Sequence, residues 1–357
     1  MPLPLNALLV CGGKYHDMDY ARLQLCEHLE RDDRIRTRVR EDFEDTAVLD
    51  ETDLLVTYTC DVRPSEEAQR ALRDWVELTK PRITTMVLFT TLVGFVTSSP
   101  DRVPVPALLV ALLGTGLVAS GAAVLNQVLE RSTDAMMLRT RNRPLPAGRV
   151  SVVDASLFGG ALSALGLAVL FWASRPLAAA VAAVTLVSYL AVYTPLKRRT
   201  PFSTLVGAVP GALPPVIGWA AARGSLGDGA FVLFAILFLW QIPHFLAIAW
   251  LYRDDYARAG FPMLPVVDRE GGFTARQAVV HSLALLLVSM GAAAAGLGGP
   301  WYLGGAFVLG VALTLFALRL VTARNLAAAR GLFLASVLYL PALCSLLLAA
   351  RFQDVTR

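Results

Sequence analysis

Nine apolar segments, each near the length of a bilayer-crossing helix, constrain this chain more than any other feature. They fall near residues 82–98, 105–130, 152–173, 177–195, 202–222, 229–252, 275–297, 301–321 and 328–350. A run of about 20 apolar residues spans the roughly 30 Å hydrocarbon layer as a helix, which satisfies its own backbone polar groups there. With 55% of its residues hydrophobic, the chain carries more apolar surface than a soluble domain buries, so soluble globular classes are excluded.

The charges test this count independently. Short loops that stay in the cytoplasm are enriched in Lys and Arg, so alternate loops must be basic. One side collects Lys80 and Arg82, then Arg131, Arg139, Arg141, Arg143 and Arg149, then Lys197, Arg198 and Arg199, then Arg253, Arg258, Arg269 and Arg276, then Arg324 and Arg330. The other side holds Arg102, Arg175, Arg223 and a tail with Arg351 and Arg357. The chain therefore reads as an all-α polytopic membrane protein of nine transmembrane helices, with its N-terminus in the cytoplasm and its C-terminus outside. Few lysines relative to arginines, and alanine-rich spans, suggest the inner membrane of a GC-rich bacterium.

The net charge of +4 conceals two unlike parts. Residues 1–76 carry 10 basic against 17 acidic side chains, and residues 77–357 carry 22 against 11. The acidic part alternates strand-like and helix-like stretches: "ALLVC" (7–11), a helix near 19–31, "IRTRV" (35–39), "DLLVTY" (53–58), and a helix after Pro64 with Ser65 as its N-cap. That order implies a small parallel α/β sheet. No signal peptide is read at the start, which leaves the first span as the membrane address. Cys11, Cys26, Cys60 and Cys344 show neither zinc nor disulfide spacing and are expected as free thiols. Cys60 as nucleophile with His16 as base is the one catalytic pairing the head offers, but nothing in the sequence joins them; a buried thiol and a turn histidine are the expectation.

In the basic part, acids are scarce, yet Glu130, Asp134, Asp254 and Asp255 sit at the basic-side ends of the second and sixth spans. Asn126, Glu130 and Asp134 are spaced i, i+4, i+8, which on a helix confines them to about 80° of arc and about 12 Å of rise. One oxygen-rich stripe results, of the kind that shares Mg²⁺ with a substrate phosphate. Asp254 and Asp255 are the second oxygen cluster. Arg139 and Arg143, with Lys197 and Arg198, are candidates to hold an anionic diphosphate and stabilise it as it leaves. For Arg141, Arg149 and Arg199, topology alone is sufficient explanation. His244, inside an apolar span after Pro243, is a further candidate; His281, near the start of the seventh span, is expected to be structural.

These stretches carry two resemblances. "NQVLERSTDAMMLRTRNRPLPAGRV", "LTKPRIT", "YTPLKRRTPFSTLVGAVPGALPPVIGW" and "FLWQIPHFLAIAWLYRDDYARAGFPMLPVVD" resemble the UbiA-type intramembrane prenyltransferases in their heme-modifying branch, over essentially all of 77–357. The first motif has Glu130 at its middle position, where other branches are richer in aspartate. The resemblance implies transfer of the farnesyl group of farnesyl diphosphate to a vinyl group of heme b, with water added. It also implies Mg²⁺ held by Asn126, Glu130, Asp134, Asp254 and Asp255, diphosphate contacts from Arg139, Arg143, Lys197 and Arg198, and a catalytic part for His244. Expected partners are the lipid bilayer and a downstream heme-modifying enzyme or terminal oxidase assembly, with no nucleic acid. "LLVCGGKYHD" and "LLVTYTCDVRPSEEAQRALRDWV" resemble the opening of a ThuA-like domain, only the first part of which is present, so residues 1–76 read as a cytoplasmic passenger.

Three other readings compete. A related enzyme with an aromatic or quinone-precursor acceptor differs only in what it prenylates. A secondary transporter would place its acids near the midplane and show an inverted repeat, whereas these acids lie at span ends. A membrane anchor for the head needs far fewer than nine spans.

Overall fold

The computed structural model describes residues 5–13, 18–32, 34–41, 48, 51–60, 66–99 and 102–355. The chain forms two compact units, Met1–Val76 and Glu77–Arg357.

The first unit is a three-stranded parallel sheet in the order β2-β1-β3, built from β1 (Leu5–Gly13), β2 (Ile35–Arg40) and β3 (Leu54–Cys60). Helix α1 (Met18–Leu29) crosses from β1 to β2, and α2 (Glu66–Leu78) follows β3. Ala7 to Cys11 of the central strand are all buried. A strand paired on both edges and covered on both faces needs such an unbroken apolar run. The sheet, its parallel sense and its element order follow the expectation from the alternating segments. Ser65 and His16 lie outside the described residues, so neither the cap nor the Cys60–His16 pairing is addressed.

The second unit is a helical bundle. Eight of its helices are long and apolar enough to cross a membrane: α4 (Val105–Asp134), α5 (Val152–Ser174), α6 (Pro176–Leu196), α7 (Ser203–Arg223), α8 (Asp228–Leu251), α11 (Gly272–Ala294), α12 (Pro300–Ala323) and α13, which runs Leu326–Val355. Two short helices, α9 (Arg253–Arg258) and α10 (Leu264–Val267), lie between α8 and α11. The first of the nine expected spans is α3 (Pro81–Ser98), an 18-residue helix that is not among those eight. Pro81, Arg82 and its threonines dilute its apolar character. Thr85, Thr90, Thr91 and Thr97 each donate to a carbonyl one turn back in the same helix, so the hydroxyls are satisfied without an outside partner.

Prolines open α3, α6 and α12, where the missing N–H costs nothing. The far end of α3 is closed by cations: Arg223 Nε donates to the Ser98 carbonyl and Arg351 Nη2 to the Ser99 carbonyl, both at 2.6 Å, which complements the negative end of a helix. Trp172 and Trp301 are 80% and 82% exposed at span ends on the arginine-poor side, as expected of rings seated at a membrane interface. Two π-helical turns interrupt the regular geometry, Val169–Ser174 in α5 and Ser188–Tyr193 in α6.

Helices α3 and α7 meet backbone to backbone. A Cβ on Gly94 would stand 1.9 Å from the Pro215 carbonyl oxygen, and one on Gly218 would stand 2.0 Å from that of Thr91. Small residues permit this close approach, and in lipid such packing supplies much of the association energy. Gly94→Ala and Gly218→Ala should each destabilise the bundle by about 1–3 kcal/mol through overpacking. Gly160→Ala, where an added Cβ meets nothing within 4 Å, is the control and should leave the melting temperature in detergent unchanged or raised.

Candidate functional site

The last two and a half turns of α4 carry Asn126, Glu130 and Asp134 on one face, and all three are buried, at 2%, 7% and 1% exposure. Each meets a cation from a different segment. Lys80 Nζ donates to Asn126 Oδ1 at 3.1 Å. Lys197 Nζ reaches both Glu130 oxygens, at 3.0 and 3.3 Å. Arg143 Nη1 lies 2.8 Å from Asp134 Oδ2.

Local structure explains each delivery. Lys80 precedes Pro81, which disfavours the right-handed helical conformation, and it adopts the left-handed region at φ 48° as the N-cap of α3. Non-glycine residues held there store strain that the surroundings must offset. The π turn of α6 re-aims its last residues: Thr194 Oγ1 donates to the Tyr189 carbonyl and accepts from Asn126 Nδ2, and Lys197 follows three residues on. An extra residue in a helical turn is a common device at functional sites. Arg143 returns because the chain after α4 folds tightly, with Thr140 Oγ1 donating to the Asp134 carbonyl.

Three cations thus face two carboxylates. Burial, then the charge of Arg143 and that of Lys197, push the Lys80 ammonium down to about 8, while Glu130 and Asp134 oppose the shift. An anion placed beside this ammonium would offset first its burial and then the neighbouring positive charges.

Aromatic rings frame the cations. The Lys197 ammonium sits over Tyr193 at 5.7 Å and over Phe261 at 5.2 Å. Arg139 stacks over Tyr252 at 5.0 Å and Tyr256 at 6.0 Å, with its Nη2 3.5 Å from the Tyr256 hydroxyl. Such contacts hold a guanidinium or ammonium in place without neutralising it.

The second cluster is arranged otherwise than its spacing suggests. Asp254 is exposed, and Asp255 is half-buried and paired with Arg258. Among the described residues neither is hydrogen-bonded to the α4 face, and no three His, Cys, Asp or Glu side chains converge on one point. What this segment does bring to the cations is Tyr252, Tyr256 and Phe261. Arg198 is exposed and makes no ion pair among the described residues. His244 lies within α8, its Nδ1 2.9 Å from Ser336 Oγ of α13; His281 bonds the Gln277 carbonyl of its own helix.

Lys80, Thr194, Tyr193, Tyr256 and Phe261 were not among the residues that spacing singled out as a site. In the sequence Lys80 reads as a topological charge and as part of the stretch LTKPRIT, but not as a site residue, although a cation placed directly before a helix-opening proline is a usable signal. The donor set fits a divalent metal of the Mg²⁺ type: two carboxylates and one amide oxygen are hard ligands, and a site this sparse suits an ion that takes its remaining ligands from phosphate and water.

Comparison with known proteins identifies the family and the fold. The profile of the UbiA prenyltransferase family matches residues 87–345. The protoheme IX farnesyltransferase of Solibacter usitatus is 51% identical over 241 residues, covering 65% of this chain and 82% of that one. That of Koribacter versatilis is 49% identical over 61% of this chain and 72% of its own. Among solved structures, a digeranylgeranylglyceryl phosphate synthase aligns with a TM-score of 0.68 at 15% identity, covering 80% of this chain and 99% of that one. A UbiA homolog from Archaeoglobus fulgidus bound to GPP and Mg²⁺ aligns with a TM-score of 0.56 at 16% identity, over 80% and 100%. These structures share the fold, and the chain belongs to the UbiA prenyltransferase family.

Proposed function

We propose that the chain is a protoheme IX farnesyltransferase, moving the farnesyl group of farnesyl diphosphate onto a vinyl group of heme b, with water added, to give heme O. The observation that carries this reading is the buried Asn126, Glu130 and Asp134 face with its excess of cations, in a chain up to 51% identical to proteins of that name.

The α4 face would hold Mg²⁺, which when bound polarises the diphosphate as a Lewis acid, and Asp255 would join it only on leaving Arg258. Lys197 and Arg143 exchange carboxylate oxygens, and Lys80 the Asn126 amide oxygen, for phosphate oxygens, and together they stabilise the charge that develops on the leaving group. Arg139, fixed between Tyr252 and Tyr256, adds a fourth positive group, and exposed Arg198 contributes only to the field at the mouth. The bond between C1 of the farnesyl group and oxygen breaks, and diphosphate keeps the electron pair. The vinyl group supplies its π electrons to C1, and the cation left beside the macrocycle takes water and releases a proton. Burial matters at this point, because an allylic cation open to bulk water is lost as farnesol.

The bundle is multi-pass in its membrane. We place it in a bacterial inner membrane, with the basic loops and N-terminus in the cytoplasm and the C-terminus outside. Residues 1–76 are a ThuA-like passenger and residues 77–357 carry the reaction. A hydroxyethylfarnesyl heme is suited to pass to a further heme-modifying enzyme or to oxidase assembly.

Mass spectrometry of heme recovered after incubation with heme b, farnesyl diphosphate and Mg²⁺ tests the reading. An adduct heavier by farnesyl plus water should appear with the full chain and with the 77–357 fragment, and vanish with chelator or in Glu130→Ala. Absence of the adduct from folded, full-length protein, with prenylation of an aromatic or quinone-type acceptor instead, would reassign the acceptor.

Two mutant comparisons refine the site. Lys197→Met and Arg143→Met should each lower kcat/KM by about a hundredfold, the usual cost of removing one group aimed at developing charge. Asp255→Asn should cost more than Asp254→Asn, because only Asp255 is half-buried beside the aromatic frame; equal losses would show that both carboxylates serve.

A further inference from the structure

His244 is embedded in an arrangement that determines which of its nitrogens carries a proton. Ser336 Oγ donates to the Phe333 carbonyl at 2.6 Å, which uses the only proton a serine hydroxyl has. Toward His244 Nδ1, 2.9 Å away, the same oxygen can therefore only accept. Nδ1 carries the hydrogen and Nε2 keeps its lone pair. Ser336 is itself held, because Trp240 Nε1 donates to its carbonyl at 2.7 Å.

The ring is clamped on both faces. Trp240 stacks on it at 4.8 Å between centroids and 19° between planes, and Phe333 at 5.3 Å and 30°. Phe245 meets it edge-on at 5.5 Å. A ring covered on both faces can offer only its edge, and the Nε2 edge has no hydrogen-bond partner among the described residues. Nor is Nε2 among the polar atoms sealed away from contact. A bare acceptor nitrogen within an apolar span is costly unless something binds it.

Seven residues, or about 10 Å of helix, separate His244 from the end of α8 at Leu251. That end is the basic-side end, the same side as the acidic face of α4.

We infer that His244 Nε2 coordinates the iron of the heme substrate and thereby positions the macrocycle for prenylation. The inference rests on the proposal that heme b is the acceptor. Axial ligation uses the lone pair of an imidazole presented by its edge, and a hydrogen bond at the far nitrogen fixes the ring's orientation and raises its basicity. The edges of Trp240, Phe333 and Phe245 would then border the flat apolar ring. Coordination leaves the iron's oxidation state unchanged and consumes no proton, since Nε2 is already bare.

The test is heme titration of the full-length chain in lipid nanodiscs, followed by the Soret band and by resonance Raman detection of the iron–histidine stretch. Wild type should bind heme b with that stretch present. His244→Ala should lose it, bind heme more weakly by about a hundredfold, and regain both the ligand band and turnover when free imidazole is supplied. Ser336→Ala, which keeps the histidine, should retain a shifted stretch and lose about tenfold in affinity, as second-shell removals do. His244→Gln, which keeps a polar side chain between the two rings, guards against loss of folding; its melting temperature should match wild type while the stretch is absent. An unchanged spectrum and affinity in His244→Ala and His244→Gln would overturn the ligand assignment and leave the acceptor intact. A folded wild type that binds no heme b would overturn the acceptor, and the ligand with it.

Discussion

Two carboxylates and an amide buried at the end of α4 are tolerable only because cations reach them from three other places in the chain. An unpaired carboxylate in such surroundings costs so much that removing one partner of a buried pair typically loses about 3–5 kcal/mol. The exposed pairs of the N-terminal unit, Arg22 with Glu41 and Arg38 with Glu51, are each worth about 0–1 kcal/mol. The ion pairs of the α4 face therefore organise the basic side of the bundle. The start of α3, the π-turned end of α6 and the tight chain after Asp134 must all arrive for α4 to end as it does. Gln127, adjacent on the same helix, reinforces this by donating to the Leu78 carbonyl at 2.7 Å.

The same arrangement serves chemistry because every group in it has two satisfactory partners. The carboxylates suit ammonium and guanidinium groups, and equally a hard divalent ion. The cations suit carboxylates, and equally a diphosphate. Substrate and metal together can take over these bonds pair by pair, leaving no buried charge alone. The aromatic frame stays fixed meanwhile, so Lys197 and Arg139 change partner without losing position.

Much of this was legible in the sequence because it is local. Span positions follow from composition over some twenty residues, and the α4 stripe follows from helical spacing alone. The parallel sheet of the head was readable because its strand-like stretches alternate with helix-like ones, whereas the order β2-β1-β3 was not. What could not be read depends on packing between distant segments. Nothing local says that Lys80 reaches Asn126, or that Tyr256 and Phe261 rather than Asp254 turn toward the cations. The π turn of α6 is invisible to a period of 3.6 residues, yet it sets where Lys197 falls. Even the count of spans was blurred at α3, where threonines that bond to their own helix lower its apolar content without making it polar outside.

The glycine contact between α3 and α7 has a mechanical consequence. Two helices touching through their main chains have no side-chain rotamers to spend, so they can neither roll nor slide past one another and behave as a single post. A bundle that must admit a bulky planar guest has to yield along some other seam. Helices α8 and α13 meet instead through the side chains of Trp240, His244, Phe333 and Ser336, which keep their two main chains apart. The α3–α7 post is thus a fixed reference against which seams built from side chains can adjust.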